Sequence, residues 1–419
     1  MKNIAIARWR LPADLSILFL SGLLFWLSWG ALFPTLPLYI RDLGHTSQQV
    51  GIAAGAVAVG LLLSRTWLGR IADRASRQIL LFFGLALSAI APLIYWLVPS
   101  FPVLVGLRLI QGIGAAAFST AYVTLVMDLA SAEHRGRVLS YMGLTKTLGV
   151  GLGALAGSFL QQQSGYPAVF FLSVVAALLG WLSCQKLREP PREKPKSTKA
   201  SDLAGFWQPI CNRRIGLLVL LSFLMGLTSS SVADFLPLFI KDAEIALNPG
   251  LFYLVMSLAA LGARIFSGGF SDRSGRGLCI TLGFMLYLVA MLGLWTARDG
   301  FTLVVVAILE GTSAGMVMPV IAATIGDRTH KNERGRAMSF WMGGFDLGMA
   351  IAAPVAGWLV DFYGYRSLFA IASGVSGSIL LLFLTHSGAT MAQSWRYAWG
   401  RGRDRYAVAN GDPKTVSQT

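Results

Sequence analysis

The sequence predicts an all-α polytopic membrane protein of twelve transmembrane helices, arranged as two six-helix bundles repeated in the same sense, and three observations predict it. The first is composition: of 419 residues, 55% are hydrophobic and 13% charged, with a mean hydropathy of +0.61, so the polar side chains cannot cover a water-soluble globule of this size. The second is a series of continuous apolar runs rich in Leu, Ala and Gly, each long enough to cross about 30 Å of hydrocarbon at about 1.5 Å per residue. A membrane β-barrel would need short segments of alternating polarity instead. The third is an internal repeat: Asp73 and Asp272 stand 199 residues apart (272 − 73 = 199), as do Arg77 and Arg276, Arg135 and Arg334, and Gly165 and Gly364.

Taken in order, Lys2, Arg8 and Arg10 precede an apolar run from Leu15 to Ile40 that is too long for the core of a signal peptide, and it reads as the first retained span. Five more runs follow at roughly 48–70, 78–98, 102–127, 137–162 and 166–186. A polar, proline-bearing stretch that includes Pro190, Pro191 and Pro195 cannot span and reads as a linker. The second set of runs lies at roughly 214–240, 248–270, 278–297, 301–325, 336–361 and 365–386. The expected organisation is therefore an N-terminal bundle at 1–186, a cytoplasmic linker at 187–213, a C-terminal bundle at 214–386 and a basic cytoplasmic tail at 387–419.

The net charge of +15 does not point to nucleic acid, because the basic residues sit in short loops, where they report topology and contact with anionic lipid. With both termini cytoplasmic, the outer loops hold Arg41, Lys241, Arg298 and Arg366, and nearly all the other Lys and Arg fall on the inner side. The expected setting is a multi-pass protein of a bacterial inner membrane. Cys184, Cys211 and Cys279 have no paired spacing for a metal site or a disulfide framework. His45, His134, His330 and His386 lie in loops or at helix ends, so no in-membrane catalytic or metal constellation is expected. The Gly-Lys phosphate loop of an ATP-driven machine is also missing.

Between the second and third spans stands Gly69-Arg70-Ile71-Ala72-Asp73-Arg74-Ala75-Ser76-Arg77, and between the eighth and ninth stands Gly268-Gly269-Phe270-Ser271-Asp272-Arg273-Ser274-Gly275-Arg276. Here the chain resembles the major facilitator superfamily, whose loop signature has a Gly, an Asp-Arg pair and a further basic residue in this order. The first copy departs from that pattern at Ser76, where a Gly is expected. The resemblance implies a conformational latch: Asp73, Arg77 and Asp128 would cluster to hold an outward-open state, with Asp272, Arg276 and Asp327 as the counterpart, and Gly69, Arg74 and Arg273 completing the motifs. The plainer reading of these arginines is topology anchors.

Arg108-Leu109-Ile110-Gln111-Gly112 in the fourth span is similar to a further motif of the same superfamily. An Arg inside a span costs at least about 2.5 kcal/mol unless it meets water or a partner. The resemblance implies that Arg108 faces a central cavity and serves proton coupling or an anionic substrate group; the alternative is that it snorkels to the outer interface. The repeat sets Glu310 opposite Gln111, and a buried carboxylate suits reversible protonation. Asp346, at the depth of Lys146 in the other half, could pair with it across the cavity or be part of a structural ion pair, and Asp234 is either exposed at the outer interface or a coupling group. Gly149, Gly153 and Gly157 read as a helix-packing surface. They also resemble the superfamily's antiporter motif in the fifth span, but Ala154 stands where Pro is expected and the proline appears in the second half as Pro354.

Aromatics such as Trp26, Trp29, Phe33, Tyr39, Tyr122, Phe235, Phe252, Tyr253, Phe340 and Trp341 either line a cavity for an amphiphile or pack between helices. The tail Ser394-Trp395-Arg396-Tyr397-Ala398-Trp399-Gly400-Arg401 reads as a basic, aromatic segment on a lipid surface. Within the superfamily the chain resembles the bacterial efflux branch of drug, sugar and siderophore exporters, and that resemblance implies a secondary active transporter, not an enzyme, that exports a small organic solute, with amphiphiles among the candidates. The proton gradient drives it, without a cofactor or metal, and its partners are protons and membrane lipids around a monomer. Proton-coupled uptake of a metabolite or organic anion is the alternative; a non-transporting sensor or membrane-embedded enzyme is the alternative of another class.

Overall fold

In a computed structural model the described residues are 13–74, 76–131, 134–187, 213–330, 333–402 and 404–408, with the side chains at 65–67, 69–74, 213 and 231 excepted. Among them there are long helices and no strand. The first half begins with α1 (Ala13–Asp42), α2 (Ser47–Arg74), α3 (Arg77–Leu97) and α4 (Phe101–Leu129). The segment Arg135–Cys184 is broken at Gly165, whose φ of 76° only glycine adopts cheaply, into α5 (135–164) and α6 (166–184). The second half runs α7 (Arg213–Asp242), α8 (Pro249–Ser274), α9 (Arg276–Thr296) and α10 (Gly300–Arg328). Arg334–His386 breaks in the same manner at Gly364, φ 77°, into α11 (334–363) and α12 (365–386). A short α13 (Met391–Ala398) is the last described helix. The twelve long legs agree with the twelve apolar runs, and each glycine reversal occupies one tight hairpin.

With an even number of crossings, Ala13 and His386 lie on one side of the membrane, the terminus side, opposite a far side formed by the turns near residues 43–46, 98–100 and 243–248. The packing differs sharply between these two ends. On the far side one continuous core joins both halves, running through Leu32, Leu36, Ile40, Phe170, Phe235, Phe239, Phe252 and Phe369. On the terminus side there are two separate cores, one around Leu18, Leu85, Phe118 and Leu125 and another around Leu218, Phe284, Ile321 and Phe383. The halves are joined on the far side and parted on the terminus side.

Small residues set the far-side contacts, as expected where lipid gives helices no hydrophobic drive to associate and close packing must do the work. Gly51 of α2 lies so close to the Ala353 carbonyl of α11 that a Cβ would collide with it, and Gly250 of α8 is held in the same way against the Ala154 carbonyl of α5. These two contacts are related by the repeat. Within the first half, Gly149, Gly153 and Gly157 of α5 pack on the α1 backbone between Leu23 and Ala31, which is the packing surface expected of them.

The tail is not wholly the surface segment read from the sequence, because one of its faces is buried. Tyr397 and Ala398 are buried in the terminus-side core of the second half, and Thr281 Oγ1 of α9 donates to the Ala398 carbonyl at 2.9 Å. Only the opposite face of α13, with Trp395 and Trp399, is exposed. Residues 188–212 of the linker expected at 187–213, Cys211 among them, and the ends of the chain lie outside the described residues.

Candidate functional site

The polar centre is assembled from side chains that would be costly in lipid and are therefore turned inward. On α4, Arg108 is half-buried and Gln111 buried. Tyr95 of α3 donates its hydroxyl to Gln111 Oε1 at 2.6 Å, and Arg108 donates to the same oxygen at 3.3 Å. Tyr95 is itself fixed from α1, because the Tyr39 hydroxyl donates to its carbonyl at 2.8 Å. One amide oxygen thus organises α3 and α4 and restrains the Arg108 head group inside the bundle.

The second half contributes carboxylates. Asp234 of α7 accepts from Ser230 Oγ at 2.7 Å, one turn earlier. Together with Arg108 it lines a small cavity whose other walls include Trp29 and Phe33 of α1 and Ala54 of α2. This corrects the reading of Asp234 as an interfacial residue: it faces an arginine of the other half beneath the far-side closure. Glu310 of α10 is buried, and its Oε2 makes no hydrogen bond to a described residue. Asp346 of α11 is buried as well. Lys146 of α5 is exposed, with Nζ 4.8 Å from the ring centre of Trp26 on α1. Among the described residues the candidate carboxylates thus come from α7, α10 and α11, while the arginine that shares the cavity with Asp234 comes from α4.

Of the aromatic candidates, Trp29 and Phe33 line the Arg108–Asp234 cavity. Phe235 and Phe252 are fully buried in the shared core, and Tyr122 packs in the terminus-side core of the first half.

The latch motifs are placed on the terminus side. Arg77 of α3 pairs with Asp128 of α4, and Arg276 of α9 pairs with Asp327 of α10 at 2.6 Å. The side chains of Asp73 and Arg74, and Gly69 beside them, fall outside what is described. In the second copy the expected three-membered cluster is incomplete: Asp272 and Arg273 are exposed, and Asp272 takes no part in the Arg276–Asp327 pair. Asp272 lies in the last turn of α8, with its side chain turned to the outside of the cluster it was expected to join.

Sequence reasoning missed the far-side closure. Lys241 Nζ of α7 pairs with Asp42 Oδ1 of α1 at 2.5 Å, and Tyr166 donates to the other Asp42 oxygen at 2.6 Å. Asp361 of α11 accepts from the Ser47 and Gln48 amides at 2.9 and 2.8 Å, a carboxylate on the positive N-terminal end of α2. The repeat-related contact is neutral: Asn248, which caps α8, donates to Gln162 of α5 at 3.2 Å. The available signal was the 199-residue interval itself, which relates Asp42 to Lys241 and Gln162 to Asp361.

A family model described as Major Facilitator Superfamily matches residues 18–300 and 250–397. The chain belongs to the major facilitator superfamily. It is 25% identical over 353 residues to an uncharacterized transporter of that type from Salmonella typhimurium, covering 81% of this chain and 87% of the relative. It is 23% identical over 387 residues to the quinolone resistance protein NorA of Staphylococcus aureus, covering 87% of this chain and 95% of NorA. It is 22% identical over 366 residues to a staphylopine export protein of Staphylococcus aureus, covering 84% and 91%. Among solved structures, a mutant of the nucleoside transporter NupG superposes with a TM-score of 0.76 at 14% identity, covering 89% of this chain and 99% of that one. A bacterial homolog of the human lysosomal transporter Spinster, solved inward-facing and unoccupied, gives a TM-score of 0.69 at 13% identity over 96% of this chain and 100% of that one.

This major facilitator chain is accordingly a multi-pass integral membrane transporter, and its family and structural neighbours are transporters and not enzymes. Among the described residues no group of three or more His, Cys, Asp or Glu is placed to hold a metal ion. The site offers ion pairing and hydrogen bonding from polar side chains set inside a helical bundle.

Proposed function

We propose that this transporter exports a small organic, amphiphilic solute by proton antiport, the two halves rocking about the Arg108–Asp234 centre. The observation that carries the reading is the contrast between one shared core on the far side and two separate cores on the terminus side, with the charged centre lying just beneath the shared core. Such an arrangement is an alternating-access state opened toward the terminus side. The distribution of Lys and Arg supports a cytoplasmic assignment of that side, and on this reading the state is inward-facing, in a bacterial inner membrane. An inward-facing exporter loads solute from the cytoplasm while its carboxylates release the protons that drove the preceding half-cycle.

Three features support export. Relatives carry the names quinolone resistance protein, multi-drug resistance efflux pump and staphylopine export protein. The cavity walls combine indole and phenyl rings with one cation and one carboxylate, which suits a solute with an apolar body and a polar group. Buried carboxylates of the second half offer sites for reversible protonation, with Glu310 favoured because it is buried and keeps an oxygen without a described hydrogen-bond partner. On this reading the protein works as a monomer with no cofactor beyond the proton gradient.

The test uses purified protein in sealed liposomes under an imposed pH gradient, with labelled amphiphiles, metallophores, nucleosides and sugars as the panel. Solute movement opposite to protons, lost in Arg108→Ala, is the expected result. Movement with protons would assign uptake instead, and absence of flux across the panel would return the protein to a sensing role.

A further inference from the structure

The tail supplies a second site. Arg328, the last residue of α10, is 2% exposed and held by the tail: its Nε donates to Asp404 at 2.7 Å, and the Tyr397 and Tyr406 rings lie over its guanidinium. It also donates to the carbonyls of Arg214 and Ser387 at 3.0 and 3.1 Å. This network anchors α13 across the terminus-side ends of α7, α9, α10 and α12. Gly277 lets the Tyr397 carbonyl approach the first turn of α9, where a Cβ would collide with it. The groove between α9 and α13 is therefore a fixed feature of the fold.

At the end of α13 the chain reverses through Gly400, φ 70°. The Arg401 amide returns to the Arg396 carbonyl at 2.8 Å and the Gly400 amide to the Tyr397 carbonyl at 3.0 Å, a glycine-dependent C-terminal cap. Its consequence is that Arg401 is folded back beside Arg396. Both are exposed, and both line a groove with Leu278, Trp395 and Trp399. Among the described residues no acidic side chain lines it, and the nearby Asp404 is committed to Arg328. Two cations are brought to one groove by the backbone, with no counter-charge from the described residues lining it.

We infer that this groove binds the headgroup of an acidic phospholipid in the terminus-side leaflet. The location fits: Leu278 is in the first turn of a spanning helix, where hydrocarbon gives way to headgroups. Trp395 and Trp399, with ring centres 6.0 Å apart and 51% and 36% exposed, are the residue type that anchors at that level. The guanidinium groups match a phosphodiester, and the indoles and Leu278 match the first carbons of the acyl chains. A free phosphate would use the arginines and leave the indoles without a role. A zwitterionic lipid would bring its own cation to a groove that already holds two. A bound acidic lipid neutralises the pair and fastens α13 to α9.

The experiment places the full chain in nanodiscs containing brominated phosphatidylglycerol or brominated phosphatidylcholine at equal mole fraction and reads quenching of tryptophan fluorescence. Greater quenching by the acidic lipid is expected, with that excess lost in Arg396→Gln/Arg401→Gln and in Trp395→Phe/Trp399→Phe. Unchanged thermal melting of both double variants will establish that they fold. Equal quenching by the two lipids, or an excess that survives either double variant, overturns the proposal. Inorganic phosphate added to phosphatidylcholine discs is expected to leave fluorescence unchanged; if it alone reproduces the arginine-dependent change, the site belongs to a free anion. These readouts are independent of transport direction, so they stand or fall apart from the export reading.

Discussion

In the first half Trp29 of α1 donates to Ser88 of α3 at 3.1 Å, and 199 residues later Thr228 of α7 meets Tyr287 of α9 at 2.6 Å. The two halves repeat this interhelical contact with different chemistry in the same place. They also repeat the glycine reversals at 165 and 364, the close contacts at Gly51 and Gly250, and the Arg77–Asp128 and Arg276–Asp327 pairs. The charges at the centre are not repeated. Arg108 and Lys146 of the first half align with Ala307 and Phe345, while Asp234, Glu310 and Asp346 of the second align with Thr35, Gln111 and Thr147. The difference separates two requirements. Rocking needs both halves to pack and hinge alike, whereas ion and solute chemistry, on the proposed function, is needed once and is divided between a basic and an acidic half.

The largest effect is expected from erasing that division. Glu310→Gln makes the second half match Gln111 of the first while keeping shape, and on the proposed reading pH-driven solute movement falls to background while solute counterflow persists. Flux assays in liposomes with and without a pH gradient check it, alongside Asp234→Asn and Asp346→Asn. Full pH coupling in all three would remove the carboxylates of the second half as proton carriers.

A repeated feature should behave symmetrically. Gly51→Leu and Gly250→Leu each drive a side chain into a carbonyl of the other half, and each is expected to favour far-side opening to a similar extent. The readout is alkylation of a Phe33→Cys reporter in a background lacking Cys184, Cys211 and Cys279. A shift of about 1.4 kcal/mol appears as about a tenfold faster labelling. A response to only one of the two would show that the far-side contacts are not equivalent in energy.

Arg328 has no counterpart, since Leu129 occupies its place in the first half. Asp404→Ala leaves a 1% exposed guanidinium without its carboxylate, and removal of one member of a buried pair costs about 3 kcal/mol. Thermal unfolding of purified protein is expected to show that loss, with most of it recovered in Arg328→Leu/Asp404→Ala, which gives the second half the residue of the first.

The fold was legible in the sequence because hydropathy over about 20 residues and the positive φ of a hairpin glycine are local properties. The Arg77–Asp128 and Arg276–Asp327 pairs were reached through the resemblance of the two loop motifs to the superfamily signature. Asp234 was not: its distance from the end of α7 fits an interfacial position, and only the packing of α7 against α1 and α4 turns it toward Arg108. Asp361 and Lys241 were hidden for the same reason, since each finds its partner in the other half of the chain. The buried face of the tail was not legible because five of its eight residues from Ser394 to Arg401 are Trp, Tyr or Arg, and composition does not tell which face Thr281 and Arg328 will bury.

The smallest expected effect concerns how each half starts its fourth helix. Asp299 caps α10 by accepting from the Thr302 amide at 2.8 Å and the Thr302 hydroxyl at 3.0 Å, while the aligned Ser100 of α4 makes no side-chain capping bond and relies on Pro102 in the first turn. The amide bond to Thr302, followed by the hydroxyl bond, holds the Asp299 carboxyl below its usual 3.8. A carboxylate whose value is depressed by folding adds stability that is fully present above the unfolded value and is lost as pH falls through the folded one. Asp299→Ala should therefore melt slightly below the parent protein at neutral pH, with the gap closing as pH drops below about 4. Ser100→Ala, which removes no capping bond, should leave melting unchanged at every pH. A gap for Asp299→Ala that stays constant down to strongly acid pH would mean that helix geometry, and not the charged cap, distinguishes the two halves at this turn.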